Sequence, residues 1–239
     1  MNHRVLVIVP AYNEAASIAT TLQDITSAEM PLDIVVVNDG SHDQTSAIAR
    51  KVQQAIVIDL PINVGIGAAV QTGMLYAARN RYDIAIQFDG DGQHRGDEIP
   101  ALIAPLLEGR CDAVIGSRFM MKSAGFKSTF ARRLGIRIFE YVNLLLTGVR
   151  ITDNTSGFRA YNNEAIAFLS EHYPSDFPEP EIVVLLAKNK FRIVEVYAAM
   201  RERQGGVSSI GGLKSLYYMA KVLIAICMTA LRPRIRSVL

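Results

Sequence analysis

The chain is poor in the features that mark secreted proteins and general nucleic-acid binders. Its 239 residues include only two cysteines, Cys111 and Cys227, and their spacing fits neither a disulfide framework nor a zinc site. The formal net charge is only +2, so neither sign of charge dominates the chain. These absences favour a reducing compartment and argue against a protein that binds nucleic acid through its overall charge.

Long hydrophobic runs are also absent. The apolar run that follows Met-Asn-His-Arg at the N-terminus covers residues 5–9, which is too short for the core of a signal peptide. In the 213–231 segment the uninterrupted apolar part is residues 222–231, well below the roughly 20 residues that span a bilayer. We therefore expect the protein to face the cytoplasm, without a spanning helix.

What the chain does contain is enough apolar sequence for one large α/β domain, since half of its residues are hydrophobic. Five short apolar runs predict strands. These runs lie at residues 5–9, 34–37, 55–60, 84–88 and 113–115. Helical spacing of apolar residues at 14–25, and a glycine-opened segment at 65–79, place helices between them. Near-continuous apolar strands that alternate with helices predict a Rossmann-like, mostly parallel sheet covered by helices on both faces.

The most informative run ends the fourth predicted strand, where Asp89 and Asp91 are separated only by Gly90. Residues i and i+2 of extended backbone point to the same side, so both carboxylates would converge. Converging carboxylates suit Mg²⁺ or Mn²⁺, and the carboxyl ends of parallel strands are where open α/β sheets bind ligands. The alternative is a polar turn, because Asp-Gly is common turn chemistry.

Other polar loops follow the predicted strands on the same side of the sheet. They are Pro-Ala-Tyr-Asn-Glu at 10–14, Asn-Asp-Gly-Ser-His-Asp at 38–43, Asn-Val-Gly-Ile-Gly at 63–67 and Gly-Ser-Arg at 116–118. The glycines at 65 and 67 would let backbone amides approach a phosphate or ribose. Each loop alone also fits a helix cap, with Ser41 or Asp43 as an example. Together with Asp89 and Asp91, the loops predict one ligand site.

In this order the motifs resemble those of the family 2 glycosyltransferases of the GT-A fold, most closely the branch that transfers sugars to dolichol or polyprenyl phosphate. The resemblance covers residues from about 5 to 209. After Gly-Ser-Arg it continues through Asp153, Ser-Gly-Phe-Arg at 156–159 and Arg203-x-x-Gly-x-Ser-Ser at 203–209. It implies a nucleotide-diphospho-sugar donor, a Mg²⁺ or Mn²⁺ cofactor and inverting transfer.

The resemblance also implies a set of site residues. Those for substrate binding are Pro10, Tyr12, Glu14, Asp39, Gly65, Asp89, Gln93, Arg118, Asp153, Ser156, Arg159 and Ser208. Within this set, Asp39 would accept hydrogen bonds from the base, and Arg118 and Arg159 would hold anionic groups. The metal ligands would be Asp89, Asp91 and Gln93.

The catalytic residues implied by the resemblance are Asp91, Arg203 and Glu181. Arg203 would neutralise the leaving diphosphate as its charge grows. A polyprenyl phosphate oxygen is already ionised and needs no strong base, whereas a sugar hydroxyl needs one. Glu181 would be that base, with Asp153 as the other candidate and Glu179 nearby in Pro-Glu-Pro-Glu at 178–181, although a carboxylate heading a helix also complements the helix dipole. Surface or capping roles are expected for the histidines at 42, 94 and 172.

The last part of the chain differs in character. We expect a GT-A catalytic domain at 1–211 and an amphipathic basic segment at 212–239. An earlier apolar helix at 136–146 begins with basic residues between Lys122 and Arg137. The later segment is flanked by Lys214, Lys221, Arg232, Arg234 and Arg236. Basic flanks on apolar helices fit a membrane interface, and ordinary core helices with solvated charges are the alternative.

Two departures from the resemblance bear on substrate and anchoring. Related sequences often carry a basic residue where this chain has Ile66, which weakens an assignment to the mannose-transferring members. The chain also lacks the paired long transmembrane helices that many glucose-transferring members append. Membrane access would then depend on the interfacial segments, on a small membrane protein partner or on a homo-oligomer.

The sequence therefore predicts a metal-dependent glycosyltransferase that is peripheral on the inner face of the cell membrane. It would transfer sugar to polyprenyl phosphate for cell-envelope glycan synthesis. Three rivals are a transferase that extends a glycan or a lipid-linked oligosaccharide, a sugar-phosphate nucleotidyltransferase, and a non-catalytic nucleotide-sugar-binding protein. The residues at 9–14 do not match the glycine-rich activating loop of a nucleotidyltransferase, and Asp89, Asp91, Gln93 and Arg203 argue for catalysis.

Overall fold

The computed structural model describes residues 3–120, 140–201 and 213–235, with the backbone alone for 213–219. Up to residue 117 strands and helices alternate: β1 Val5–Ala11, α1 Ile18–Thr26, β2 Asp33–Asn38, α2 Thr45–Ala49, β3 Ala55–Asp59, α3 Ile66–Arg79, β4 Ile84–Gln87, α4 Ile99–Leu107 and β5 Ala113–Ser117. Then follow helical residues 140–147 (α5), β6 Arg159–Asn162, α6 Asn163–His172, α7 Pro178–Lys188, β7 Ile193–Tyr197 and α8 Leu213–Leu231. All five strands predicted from the apolar runs are confirmed.

The strands form one sheet in the order β3–β2–β1–β4–β6–β5–β7. Every neighbouring pair is parallel except those of β6, which runs antiparallel to both β4 and β5. As a result, the first residue of β6, Arg159, lies beside Gln87, the last residue of β4. The carboxyl ends of the six other strands and the amino end of β6 thus share one edge of the sheet.

Both faces of the sheet are covered, as the apolar strands predicted. One hydrophobic cluster packs the odd-numbered residues of β1, such as Val7 and Val9, against Leu22 of α1 and Leu102 of α4. The other packs the even-numbered residues of β1 against α3, α6 and α7. Because all seven residues of β1 are buried, this strand forms the centre of the molecule.

The predicted C-terminal helix is present as α8, and it packs against α7. Val222 and Ile226 of α8 are buried with Val184 of α7 and contact Val142 of α5. Polar bonds add to this contact, including the Lys188 ammonium to a carbonyl of α8 and the Ile235 amide to Asn189 Oδ1 at 2.9 Å. Among the described residues, no helix is long and apolar enough to cross a bilayer.

The start of α3 approaches another part of the backbone very closely. A Cβ at Gly67 would lie 2.4 Å from the carbonyl oxygen of Pro174 and 2.5 Å from that of Ser175. Such distances are below van der Waals contact, and backbone cannot rotate away as a side chain can. The second glycine of the 63–67 motif is therefore required for packing between α3 and the loop before α7.

We expect Gly67→Ala to destabilise the protein by about 1–3 kcal/mol, the usual cost of overpacking, despite the better helix propensity of alanine. Urea unfolding followed by circular dichroism measures the change. Ala68→Ser, at the neighbouring half-exposed position, is the matched control and should shift stability by less than about 0.5 kcal/mol. Equal stability of Gly67→Ala and wild type would contradict the close approach.

Candidate active site

A cavity of about 480 Å³ opens at the shared edge of the sheet. Its walls come from the loops after β1, β2 and β4 and from the start of α3. The lining residues are Pro10, Ala11, Tyr12, Glu14, Asp39, Asn63, Gly65, Ile66, Ala69, Asp89, Gly90 and Asp91. The fold thus brings together seven of the predicted site residues: Pro10, Tyr12, Glu14, Asp39, Gly65, Asp89 and Asp91.

The loops after β1 and β2 hold each other in place. Asn13 has a positive φ of 55°, its amide donates to Ser41 Oγ at 2.9 Å, and its side-chain oxygen accepts from the amide of His42 at 3.0 Å. The Asp43 carboxylate accepts from the amides of Ala15 and Thr45, at 3.1 Å and 3.0 Å. Asp43 therefore ties the loop after β1 to the start of α2, although Gln44 and not Asp43 is the N-cap residue of that helix.

Asp39 organises the glycine-containing loop. Its two carboxylate oxygens accept from the amides of Val64 at 2.8 Å and Gly65 at 3.0 Å, and the residue is only 3% exposed. Gly65 has a φ of 92°, a backbone conformation that residues with a side chain rarely adopt. Each carboxylate oxygen can accept a further hydrogen bond, so recognition of a base by Asp39 stays a prediction.

Asp89 and Asp91 line the same cavity, although not for the reason expected from strand geometry. β4 ends at Gln87, before both aspartates, and Gly90 and Asp91 form a turn. The Gly90 carbonyl accepts from Ser17 Oγ at 2.8 Å and Thr21 Oγ1 at 3.2 Å, which fixes this turn to α1. Asp89 and Asp91 can therefore form a polar turn and a metal site at once, because the turn leaves both residues in the lining of the same cavity.

His94 was expected at the surface, and this expectation is wrong. The ring is 3% exposed, and its Nε2 lies 3.3 Å from Asp89 Oδ2. It stacks on Phe158 with centroids 5.0 Å apart and meets the edge of Phe88 at 5.3 Å. The physical reason is the local chain path, in which the turn at 90–92 folds residue 94 back beneath the end of β4.

The pKa of Asp89 reflects these surroundings. Burial acts to raise the pKa, but hydrogen bonding and charge from His94, the Gln87 amide and the charge of Arg159 outweigh burial and lower it. The Asp89 carboxylate is therefore ionised at neutral pH. One of its oxygens, Oδ1, is buried without a hydrogen-bond partner among the described residues.

These residues fit a hard divalent cation. The described residues contain no cluster of three or more His, Cys, Asp or Glu side chains that would form a closed protein cage. They do provide two neighbouring carboxylates, one of them with an unsatisfied buried oxygen, and the half-buried Gln93 close by along the chain. Mg²⁺ commonly binds through one or two carboxylates and takes its remaining ligands from substrate phosphates and water.

Arg118 and Asp153 form a buried ion pair outside the lining of the cavity. Arg118 Nε and Nη2 donate to the two Asp153 oxygens at 2.7 Å and 2.8 Å, and Asp153 is fully buried. The Glu195 carboxylate in turn accepts from the Asp153 amide at 2.7 Å. The Asp153 carboxylate, which was expected to bind substrate or act as a base, is thus paired with Arg118.

Arg159 and Ser156 also make hydrogen bonds within the protein. Arg159 is 1% exposed, and its guanidinium donates to the carbonyls of Ser156 at 2.7 Å and Asn154 at 3.1 Å. The turn that precedes β6 is held in this way. The positive charge lies behind Asp89 rather than in the lining of the cavity, so the structure does not bring Arg159 to the position expected for direct anion binding.

Glu181, the expected base, lies between α7 and α8. Its carboxylate accepts from Thr229 Oγ1 at 3.0 Å and from the Phe177 amide at 3.2 Å. Burial raises the pKa of Glu181, and these two hydrogen bonds oppose the shift. The residue is absent from the lining of the cavity, and its contacts match the helix-start alternative that the sequence left open.

Arg203 and Ser208 lie outside the described residues, as do the basic residues from Lys122 to Arg137. Arg201, the last described residue before Arg203 and Ser208, donates its amide to the carbonyl of Gln93 at 2.8 Å. Arg201 is also paired with Asp24 of α1, at 2.8 Å.

Sequence reasoning missed His94 and Gly157. A Cβ at Gly157 would lie 2.2 Å from Asp89 Oδ2, so this glycine leaves the space that the carboxylate occupies. The position of His94 directly after Gln93 was the available signal, since a residue adjacent to an expected metal ligand is a natural candidate for contact with another. No local pattern identifies Gly157, whose contact with Asp89 spans distant parts of the chain.

Comparison with known proteins identifies the family of this chain. The family model for glycosyl transferase family 2 matches residues 6–169. A UDP-N-acetylglucosamine–dolichyl-phosphate N-acetylglucosaminyltransferase from Methanococcus voltae is 30% identical, over 80% of this chain and 83% of that protein. A polyprenol monophosphomannose synthase from Mycolicibacterium smegmatis is 30% identical over 92% of this chain and 85% of its own length.

Among solved structures, a glucosyl-3-phosphoglycerate synthase from Mycobacterium tuberculosis, in complex with Mn²⁺, UDP-glucose and phosphoglyceric acid, has the same fold. Its TM-score is 0.67 at 20% identity, and the match covers 98% of this chain and 81% of that one. The mixed, mostly parallel sheet is thus of the GT-A type. On the extent of the family match and of the shared sequence, the chain belongs to glycosyl transferase family 2 and is a glycosyltransferase.

Proposed function

We propose that this glycosyltransferase moves a sugar, with inversion, from a nucleotide-diphospho-sugar to a polyprenyl phosphate at the cytoplasmic face of the cell membrane. The observation that carries the proposal is the single cavity in which Asp39, Asp89 and Asp91 meet the glycine loop at the edge of the sheet. The names of the relatives, which are dolichyl- and polyprenyl-phosphate sugar transferases, support the acceptor. Cell-envelope glycan synthesis is the process that would consume such a product.

The donor would lie across the cavity with its base towards Asp39 and its diphosphate towards Asp91. Tyr12 and Ile66 are partly exposed at 42% and 41%, so their apolar surfaces are free to cover a base or ribose. Asp89, Asp91 and Gln93 would hold Mg²⁺ or Mn²⁺. When bound, that ion supplies positive charge that stabilises the leaving diphosphate. Arg203 would add a second positive charge at the same group.

The positions of the carboxylates favour a phosphate acceptor over a hydroxyl acceptor. The two candidate bases are both occupied elsewhere, Asp153 by Arg118 and Glu181 by Thr229, and neither lines the cavity. An ionised phosphate oxygen attacks without losing a proton, whereas a sugar hydroxyl must lose one. We therefore rank polyprenyl phosphate above a growing glycan as acceptor and leave Glu181 out of the proposed catalytic set.

The direct test is sugar transfer by purified protein with Mn²⁺. Thermal stabilisation by UDP-, GDP- and dTDP-sugars first selects the donor, because a bound ligand raises stability by mass action. We expect transfer to polyprenyl phosphate in detergent micelles and none to free sugars. Transfer to sugar hydroxyls alone would favour the glycan-extending rival. Absence of both transfer and donor hydrolysis, with a donor that binds, would favour a non-catalytic binding protein.

We expect the metal-dependent activity to require the Asp91 carboxylate. We expect Asp91→Asn to abolish transfer and leave the melting temperature nearly unchanged, because the residue is in a turn beyond the end of β4. EDTA should abolish wild-type activity, and added Mn²⁺ should restore it. Asp97→Asn, at an exposed position on the same segment, is the matched control and should keep full activity. Full activity of Asp91→Asn, or of wild type in EDTA, would refute the metal assignment.

The α5/α8 apolar surface supports membrane attachment. It consists of outward-facing side chains on the two helices that share a buried cluster through Val142, Val222 and Ile226. Its members are Tyr141, Leu145, Ile224, Met228 and Leu231, each at least 59% exposed. The exposed residues Arg232 and Arg234 follow directly. Apolar area with adjacent basic charge matches an anionic lipid surface, where each basic residue contributes roughly 1 kcal/mol.

We expect Ile224→Gln with Met228→Gln to weaken flotation on anionic liposomes without unfolding the protein, because both side chains are exposed. The double variant is sharper than deletion of 213–239, which would also uncover the apolar side of α7. Transfer to polyprenyl phosphate should fall much more than donor hydrolysis. Leu107→Gln changes an equally apolar residue, 45% exposed on α4, and should float like wild type. If wild type fails to float at low salt, attachment through a protein partner replaces attachment to lipid.

A further inference from the structure

His94 lies in an aromatic enclosure and has a polar contact with the Asp89 carboxylate. The ring is enclosed by the edge of Phe88 and the face of Phe158, with the Phe158 ring inclined by only 20°. Both ring nitrogens are buried, and neither makes a hydrogen bond of good geometry with the described residues. Nε2 lies 3.3 Å from Asp89 Oδ2, near the upper limit for an N–H···O bond. Leaving a buried donor unsatisfied costs about 1–3 kcal/mol, so a small shift that turns this contact into a hydrogen bond is favourable.

Backbone also lies against the Asp89 carboxylate. A Cβ at Gly157 would come within 2.2 Å of Asp89 Oδ2 and 2.7 Å of its carboxyl carbon. The Asp89 carboxylate is therefore in contact with both the His94 ring and the Gly157 backbone. Phe158, the next residue after Gly157, also forms one wall of the His94 enclosure. The turn before β6 thus supplies the Gly157 contact to the carboxylate and one wall around the imidazole.

We propose that His94 is a positioning residue: its Nε2–H donates to Asp89 Oδ2 and fixes the carboxylate in the orientation that binds the divalent cation. The inference rests on the proposed metal site and adds a residue to it. In metal sites, partners that hydrogen-bond a ligand restrict its rotation before the ion arrives, and their loss typically weakens metal affinity by about 10–100-fold. The aromatic rings around His94 restrict the motion of the imidazole that carries this N–H group.

Two substitutions separate the hydrogen bond from the packing. His94→Phe keeps an aromatic ring between Phe88 and Phe158 but removes the N–H group. His94→Gln loses the ring but places an amide nitrogen the same number of bonds from Cα as the histidine Nε2. The readout is Mn²⁺ affinity, measured by electron paramagnetic resonance with the nucleoside diphosphate that stabilises wild type, so that no turnover is involved. Thermal unfolding without metal reports the packing separately.

We expect His94→Phe to bind Mn²⁺ at least about tenfold more weakly than wild type, with nearly unchanged thermal stability. His94→Gln should show the reverse pattern, with better-preserved Mn²⁺ affinity and lower stability. If His94→Phe does not fold, His94→Met takes its place, because methionine matches the shape of glutamine and lacks the donor. Equal Mn²⁺ affinity in wild type and the donor-lacking variant would overturn the inference.

The same titration distinguishes this inference from the proposed function. If wild type binds no Mn²⁺ in the presence of any nucleoside diphosphate, the metal site itself is refuted. If wild type binds Mn²⁺ and both His94 variants bind it equally well, only the positioning role of His94 fails. A loss of affinity in His94→Gln as large as that in His94→Phe would also count against the hydrogen bond, since the amide donor would then have had no effect.

Discussion

The arrangement of the site depends on the burial of β1 between two neighbours in parallel register. β1 pairs with β2 from Leu6 to Ala11 and with β4 from Val5 to Ile8, so β1 and β2 end together and β4 ends earlier, beside Ile8. A strand buried on both faces cannot slip by one residue, because every side chain would exchange its face of the sheet. The loops that follow the strands are therefore held at fixed heights, and the cavity is the space left between them.

The insertion of β6 adds a second constraint. Because this strand runs against its neighbours, the turn that precedes it arrives at the same edge as the loops that follow β4 and β5. That turn brings Gly157 against Asp89 and places Arg159 behind it. Positive charge from Arg159, which lies in the sheet and not in the cavity, helps to keep Asp89 ionised. A buried guanidinium thus contributes to the site through the field it creates.

The apolar runs and glycine signals were sufficient to predict five strands and the helices between them. They did not reveal β6, a four-residue strand with Arg159 at one end and Asn162 at the other, or β7, whose residues are only partly buried. Seven residues of the predicted site do meet in one cavity, because each lies near the end of a strand, in the loop after one or just before a helix. Motif order could not show which charged residues would be paired with one another, as Arg118 is with Asp153. Such pairing depends on contacts between segments 35 residues apart or more, as does the contact of Glu181 with Thr229.

Some residues that line the cavity support its loops, whereas others only present a side chain. This difference matters for attempts to alter the preference for the nucleotide-sugar donor. The Asp39 carboxylate holds the loop by accepting a hydrogen bond from the Gly65 amide, and Gly67 supports it by contact with the backbone at 174–175. Substitution there would disturb the framework along with the ligand. Tyr12 and Ile66 contribute side chains that remain over 40% exposed, so their replacement removes little buried area. Libraries intended to alter nucleotide or sugar preference should therefore vary positions 12 and 66 first, where the fold tolerates many side chains.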